Sequence, residues 1–389
     1  MKKICVVTGA RSEYGLLQRL MGFVKDSDSL ELQVVVTGMH LSPEFGHTVD
    51  EIESDGFTIA DRLEILLSSD TAVGTTKAMG LALLSLSETF ARLRPDIVVL
   101  LGDRFETFAA ATAAFTARIP VAHLHGGEVT EGAVDEAFRH AISKMAHVHF
   151  VAAEPYRRRV IQLGEHPSTV HNVGAFGVDR VLHASLMGRA GVEAALGVRL
   201  LPRNYLVSFH PVTLAPNAGL NQLTELLAAL EDEDVGLIFT LPNADFGGRE
   251  IVRLLREFCS ARTNAWCFSS LGHPLYESCL SICDVIVGNS SSGIIEAPAV
   301  GTPTVNIGER QRGRLRAASI IDCEPYRGHI REALRVAGSR GFRDQLGAAP
   351  PPYGRGGASE RVLQWLEAAQ LDTLHKAFWD LNQKNFEGE

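Results

Sequence analysis

Ile4-Cys5-Val6-Val7-Thr8, then Gly9-Ala10-Arg11-Ser12, then Leu16, Leu17, Leu20, Met21 and Val24: this stretch decides how the chain is read. A β-branched run closed by glycine is a short buried strand. The leucines that follow recur at helical spacing and give one apolar stripe. Strand, glycine turn and helix open a doubly wound α/β unit. Working outward, Leu32 to Val36 is the second strand and ends in TGMHLS. Asp96 to Leu101 is continuously apolar, as a strand buried on both faces must be. It ends in Gly102-Asp103-Arg104, ahead of an alanine-rich helix from Thr107 to Thr116. Pro120 to Leu124 is the next strand, followed by HLHGGEVTEGAVDEAFR (123–139) and a strand from His149 to Ala152. After about residue 175 the pattern starts again. Strands at Tyr205 to Phe209, Gly236 to Thr240, Asp284 to Val287 and Thr304 to Ile307 end in His210-Pro211, PNAD, GNSSSG and GERQ. The expectation is an α/β protein of two Rossmann-like, doubly wound domains facing a central cleft. Their bounds are 1–175 and 176–369, and a helix of about 370–389 packs back on the first. Ligands of such sheets lie beyond the carboxyl ends of the strands, where every polar cluster named above falls.

Composition narrows the class. With 389 residues, 46% hydrophobic and 21% charged, the chain has material for two ordinary cores. A net charge of −9 argues against a nucleic-acid partner. No apolar run approaches the roughly 18 residues that span a bilayer, so no membrane role is expected. The opening MKKICVVTGARS reads as a strand and not as a secretion signal. The six cysteines include no CxxC pair and read as reduced thiols of a cytoplasmic protein. Cys279 and Cys283 are spaced i,i+4, which alone is a weak metal signal.

Three clusters carry chemistry. In GNSSSGIIEAP (288–298) a strand passes to a helix through small residues. Its amides and the hydroxyls of Ser290 and Ser291 suit an anion, and Glu296 suits ribose hydroxyls; the plainer reading is serines as helix caps. Arg104 and Arg310, at neighbouring strand ends, are fixed cations of the kind a diphosphate needs. Gly9-Ala10-Arg11 matches neither GxGxxG nor a P-loop; Arg11 is a substrate contact or a partner of Glu13. In the central arc, Asp135 and Arg139 are i,i+4 and share a helix face. Val134, Ala137, Phe138, Ala141, Ile142 and Met145 form the opposite, buried face. Glu128 is presented from the Gly126-Gly127 turn. His123 and His125 alternate along a strand and face one way. That pairing invites a metal set with Asp103 and Glu128, although imidazoles beside carboxylates are more often hydrogen-bonded. Carboxylates beside a bound diphosphate suit proton transfer as the diphosphate leaves a sugar. A proton at carbon 2 is acidic enough only as the anomeric carbon becomes cationic. Arginines, a helix N-terminus and His210 would favour that by stabilising the leaving group.

RSEYG, TGMHLS, LGDRFE, HLHGGEVTEG with DEAFRHAISK, FHPVT, PNADFG, GNSSSGIIEAP and GERQRGR occur in that order. The chain resembles the hydrolysing UDP-N-acetylglucosamine 2-epimerases of sialic and related nonulosonic acid synthesis, from Ile4 to about Asp322. The resemblance implies the GT-B fold, a homodimer or homotetramer, and no metal or nicotinamide cofactor. It implies elimination of UDP to a 2-acetamidoglucal-like intermediate, then hydration to free N-acetylmannosamine. On the same grounds Asp103, Glu128 and Asp135 are the acid–base candidates and Arg139 orients them. Arg11, Arg104, His210 and Arg310 match contacts to UDP and its phosphates. Ser290, Ser291 and Glu296 match phosphate and ribose contacts, and Asn243 a contact near the nucleoside. Non-hydrolysing relatives carry Glu where this chain has His125 and lack HGGE, which favours hydrolysis. Leu275 stands where some relatives place an aromatic residue near uracil, with Tyr276 adjacent. Close relatives take UDP-N,N'-diacetylbacillosamine, and these motifs do not separate the two sugars. A glycosyltransferase and a non-catalytic sugar-nucleotide sensor are the alternatives of other classes.

Overall fold

The structure, a computed structural model, describes all residues except 68, 70, 131–133, 211–217, 242–247, 270, 345, 347–350, 371–374 and 382–389. Contacts divide the chain into two compact units, Met1–Asp179 with Gly356–Glu389, and Arg180–Arg355. The first holds strands β1 (Lys2–Thr8), β2 (Leu30–Thr37), β3 (Ile59–Leu63), β4 (Ile97–Leu101), β5 (Val121–Leu124), β6 (Val148–Val151) and β7 (Val170–Asn172). They form one sheet in the order β3-β2-β1-β4-β5-β6-β7, parallel throughout. The second holds β8 (Asn204–Ser208), β9 (Gly236–Thr240), β10 (Ala265–Phe268), β11 (Val285–Gly288), β12 (Thr304–Ile307) and β13 (Ile320–Cys323). Their order, β10-β9-β8-β11-β12-β13, repeats the first pattern, again all parallel. In each sheet the strand order reverses beside the first strand of the unit, which is the doubly wound arrangement.

Burial on two faces explains why the central strands are apolar without interruption. Successive side chains of a strand point to opposite faces. Ile4 and Val6 join Leu17, Leu20, Met21 and Val24 of the helix Arg11–Asp26. Cys5 and Val7 join Ala82, Leu86 and Phe90 of the helix Ala72–Leu93 on the other face. Each fully buried aliphatic side chain contributes about 1.5–3 kcal/mol. The second helix starts where the Thr71 hydroxyl accepts from the Gly74 amide at 3.1 Å. It stops where Arg94 turns left-handed, at φ 49°.

Several elements depart from the sequence reading. Strands β3, β7, β10 and β13 were not foreseen, and all are sheet edges. In the helix Val134–Met145 the expected apolar face holds at Ile142, which is fully buried, and in part at Phe138, Ala141 and Met145, but Val134 and Ala137 are exposed and Arg139 is buried. Phe138, on that face, stacks on Phe108 with centroids 5.0 Å apart. The helix Ala358–Ala368 counts with the first unit, where the sequence reading had assigned residues up to 369 to the second. The chain from 375 to 381 runs without helix or strand. It is nonetheless fastened to the first unit: the Trp379 amide donates to Gly164 O at 2.9 Å, and Lys144 Nζ lies 4.8 Å from the Phe378 ring centroid.

The strongest tie of that segment is ionic. Buried Glu165 meets Lys144 and Lys376, each at 2.7 Å, and His149 Nε2 at 3.0 Å. Burial alone would raise the Glu165 pKa, but the bonds from His149, Lys144 and Lys376 outweigh it and bring it from 4.5 down to about 2. A depressed carboxyl adds stability that is present above its unfolded pKa and is lost as pH falls toward the folded value. Glu165→Ala should cost about 2 kcal/mol, because it removes the acceptor shared by buried His149 and by the partly exposed Lys144 and Lys376. Denaturant unfolding at neutral pH reads the loss. The wild-type contribution should fade as pH drops from 4.5 toward 2.

Candidate active site

In the first unit, polar side chains gather past the carboxyl ends of β4 and β5. Gly102 turns the chain after β4 and is followed by Asp103 and Arg104. Arg139, buried, reaches back from the helix Val134–Met145. It pairs with Asp103, and its Nη2 donates to the Thr130 hydroxyl at 3.0 Å. The i,i+4 spacing had suggested Asp135 as its partner. Asp135 instead sits on the exposed side of the first turn. Desolvation first, and the Asp103 carboxylate second, hold its pKa above the ordinary carboxylate value, against the pull of Arg104 and Arg139. A carboxyl so placed both holds and releases a proton nearer neutrality than a free aspartate does.

Arg104 makes a two-pronged contact with buried Glu106, Nε to Oε2 at 3.2 Å and Nη2 to Oε1 at 3.0 Å. Burial would lower the Arg104 pKa, but Glu106 and Glu13 overcome it and raise it. Arg11 pairs with Glu51, Nε to Oε2 at 3.1 Å, and not with Glu13.

After β5 the backbone leaves extended geometry. His125 is left-handed at φ 63°, a strained state for a side-chain-bearing residue. Alternation therefore ends at Leu124, and His123 and His125 do not face one way. His123 Nε2 is 2.8 Å from Gly102 O and Nδ1 is 3.0 Å from Ser143 Oγ. The carbonyl accepts from Nε2–H, so the hydroxyl donates to Nδ1. Burial keeps the ring neutral, pushed down to about 3. His123 thus ties the Asp103 turn to the Arg139 helix. His125 Nε2 accepts from the Phe176 amide at 3.2 Å, and Nδ1 faces Glu128 Oε1 at 2.9 Å. With both nitrogens of both rings engaged, the metal set His123, His125, Asp103 and Glu128 is not assembled. Glu128 is buried behind the glycine turn. At Gly127, φ 76°, any β-carbon would lie 2.5 Å from Tyr156 O, so only glycine brings Glu128 in this closely.

The second unit gathers its groups around Asn289, fully buried after β11. Its side chain accepts from the His210 amide at 2.7 Å and donates to His210 O at 3.0 Å. Its carbonyl takes Arg310 Nη1 at 3.0 Å and Gln311 Nε2 at 2.8 Å. His210 is kept neutral, down to about 4, by burial and then by Arg310. Ser290 caps the helix Ser291–Ile295, accepting from the Ser292 amide at 3.4 Å. Tyr276 bonds Ser292. Glu296 is 3.3 Å from Arg180, whose Nε is 2.6 Å from Glu277. Asn243 lies outside the described residues. Sequence reasoning singled out neither Asn289 nor Glu106, and named Glu13 only as a partner of Arg11. All three stood inside quoted motifs, Asn289 just after a strand and Glu13 and Glu106 in the first turns of helices that follow strands.

The model of the family described as UDP-N-acetylglucosamine 2-epimerase matches residues 23–367. The GDP/UDP-N,N'-diacetylbacillosamine 2-epimerase (hydrolyzing) of Campylobacter jejuni is 39% identical over 98% of this chain and 99% of its own length. The UDP-N,N'-diacetylbacillosamine 2-epimerase (hydrolyzing) of Legionella pneumophila is 37% identical, over 95% and 97%. The crystal structure of Methanocaldococcus jannaschii UDP-GlcNAc 2-epimerase in complex with UDP-GlcNAc and UDP matches with TM-score 0.77 at 16% identity, covering 94% of this chain and 100% of that one. At that identity the likeness speaks for the GT-B-like fold. With geometry, fold and sequence in agreement, the chain belongs to the UDP-N-acetylglucosamine 2-epimerase family.

Proposed function

We propose that the protein is a hydrolysing UDP-sugar 2-epimerase that eliminates UDP from a 2-acetamido sugar nucleotide and hydrates the product. One observation carries the reading: Asp103 and Glu128 follow β4 and β5 and are held by named partners, and Asp135 opens the next helix with a raised pKa. In elimination, the carbon 2 proton passes to one of these carboxylates, the anomeric C–O bond breaks, and its electron pair leaves with UDP. In hydration, water adds at carbon 1 and a carboxyl returns a proton to carbon 2 on the opposite face. The balance is sugar nucleotide plus water giving UDP plus the free 2-epimer. Arg139 holds Asp103 and His125 holds Glu128. Arg11, Arg104, His210, Arg310, Ser290 and Ser291 serve the diphosphate, Glu296 the ribose, and Asn243 the nucleoside. A water nucleophile and internal carboxylates need no cofactor.

Similarity orders the two candidate sugars. Both relatives described above are named for UDP-N,N'-diacetylbacillosamine, so that nucleotide stands ahead of UDP-N-acetylglucosamine. The six free thiols suit a reducing compartment such as the cytoplasm. No described helix is long and apolar enough to cross a membrane. A homo-oligomer is supported by the helix Ala72–Leu93, which leaves Val73 and Leu84 64% and 67% exposed, with Leu81 and Leu83 beside them.

Product analysis in heavy water tests the reaction. UDP, the free 2-epimer and one deuterium at carbon 2 are expected from the diacetamido nucleotide. Transfer to an acceptor without deuterium, or UDP binding without turnover, would refute it. Glu128→Gln and Asp135→Asn should each lower kcat by at least about a hundredfold, while UDP affinity by calorimetry stays near the unmodified value. Light scattering should give an assembly larger than the 42.2 kDa chain, and Leu84→Glu should reduce it toward that mass.

A further inference from the structure

Behind Arg104 lie two buried carboxyl groups and one guanidinium. Glu106 takes both prongs of Arg104, at 3.2 and 3.0 Å. Glu13, also buried, reaches Arg104 only at 3.9 Å. Its Oε2 accepts from the Gly9 amide at 2.7 Å, and its Oε1 is buried with no hydrogen-bond partner among the described residues. The backbone is shaped around the pair. A β-carbon on Gly9 would stand 3.4 Å from the Glu106 carboxyl carbon. On Gly38, left-handed at φ 58°, it would meet Glu106 Oε1 at 2.8 Å. The amide of Met39 closes the pocket on Gly9 O at 2.8 Å.

Among the described residues, no second cation is paired with Glu13. His40 is bonded at 3.0 Å to Thr8 and 2.8 Å to Thr48, and burial keeps it neutral, down to about 4. Tyr14 turns to Asp55, and Arg11 to Glu51. Asp135 lies on the far side and feels both Arg104 and Glu106. An unpaired buried carboxylate is costly, and taking a proton is the cheaper state. Burial first, eased by Arg104 and reinforced by Glu106, brings Glu13 from 4.5 up to about 7.

We infer that Glu13 is a positioning residue for the proposed epimerase reaction. As the neutral acid it leaves Arg104 paired with Glu106 alone, and as the carboxylate it draws the charge of Arg104 inward and away from Asp135. With Glu13 neutral the trio carries no net charge. With Glu13 ionised it carries −1, and Asp135 faces an added negative neighbour. Proton transfer at Asp135 weakens accordingly, although Glu13 touches no substrate.

The inference rests on the epimerase reading, so one readout must not depend on turnover. In the unmodified protein kcat/KM should fall above about pH 7, and in Glu13→Gln that limb should move up by more than about one pH unit. A raised carboxyl adds stability below its unfolded pKa and loses it as pH rises through the folded one. The melting temperature of Glu13→Gln should therefore gain on the unmodified protein between about pH 5 and pH 8. An unmoved limb, or a melting difference that does not change with pH, overturns the inference. If neither sugar nucleotide is turned over, the reaction reading fails, and the melting difference still decides whether Glu13 holds a proton. Should Glu13→Gln not fold, Glu106→Gln takes its place. One carboxyl then remains for one cation and the limb must vanish; its persistence overturns the inference.

Discussion

The buried pairing of Arg139 with Asp103 is the interaction on which the first unit's site depends. Asp103 follows the Gly102 turn after β4, where parallel strands direct their unpaired backbone toward any ligand. Asp135 feels the like charges of Asp103 and Glu106, and such charges repel. The Arg139 guanidinium neutralises one of these carboxylates. The Val134–Met145 helix delivers it from a side where Arg139 is buried together with Ile142 and Ser143, while Val134 is exposed. His123 secures the same geometry from the other side by joining Gly102 O to Ser143.

How much of the fold was legible follows from burial. Central strands such as IVVLL of β4 are covered on both faces and read as apolar runs. The four missed strands are the four edges: IADRL, VHN, AWCF and IIDC are only partly buried. Each pairs on one side alone, so one face or one flank tolerates Asp, Arg, His or Asn, and periodicity disappears. Strand order is set by contacts distant in sequence, and no local pattern encodes it.

At the site, residue types were legible and partners were not. Asp103 and Arg104 follow β4, Glu128 follows β5, and Asp135 and Arg139 lie on the helix Val134–Met145, as the sequence order implies. Spacing then assigned the wrong neighbours, because i,i+4 proximity is weak in energy beside a buried tertiary pair. The histidines show the same limit. Their period-2 alternation held only while the chain stayed extended, and the left-handed turn at His125 broke it one residue before Gly126. No sequence pattern announces positive φ on a histidine.

Each unit, considered by itself, keeps one arginine against two carboxyl groups: Arg104 with Glu106 and Glu13, and Arg180 with Glu296 and Glu277. In both cases burial, eased by the arginine, brings the second carboxyl, Glu13 or Glu277, from 4.5 up to about 7. Neither cluster would be chosen for stability, since an apolar substitute of equal volume avoids the desolvation cost. Both instead hold an arginine whose direction is fixed by opposing anions, so that its position need not be reorganised when charge develops nearby. The tension is carried on helices and turns flanking the sheets, while the strands are sealed by aliphatic side chains. Stability and chemistry are thereby separated between the strands and the elements that flank them.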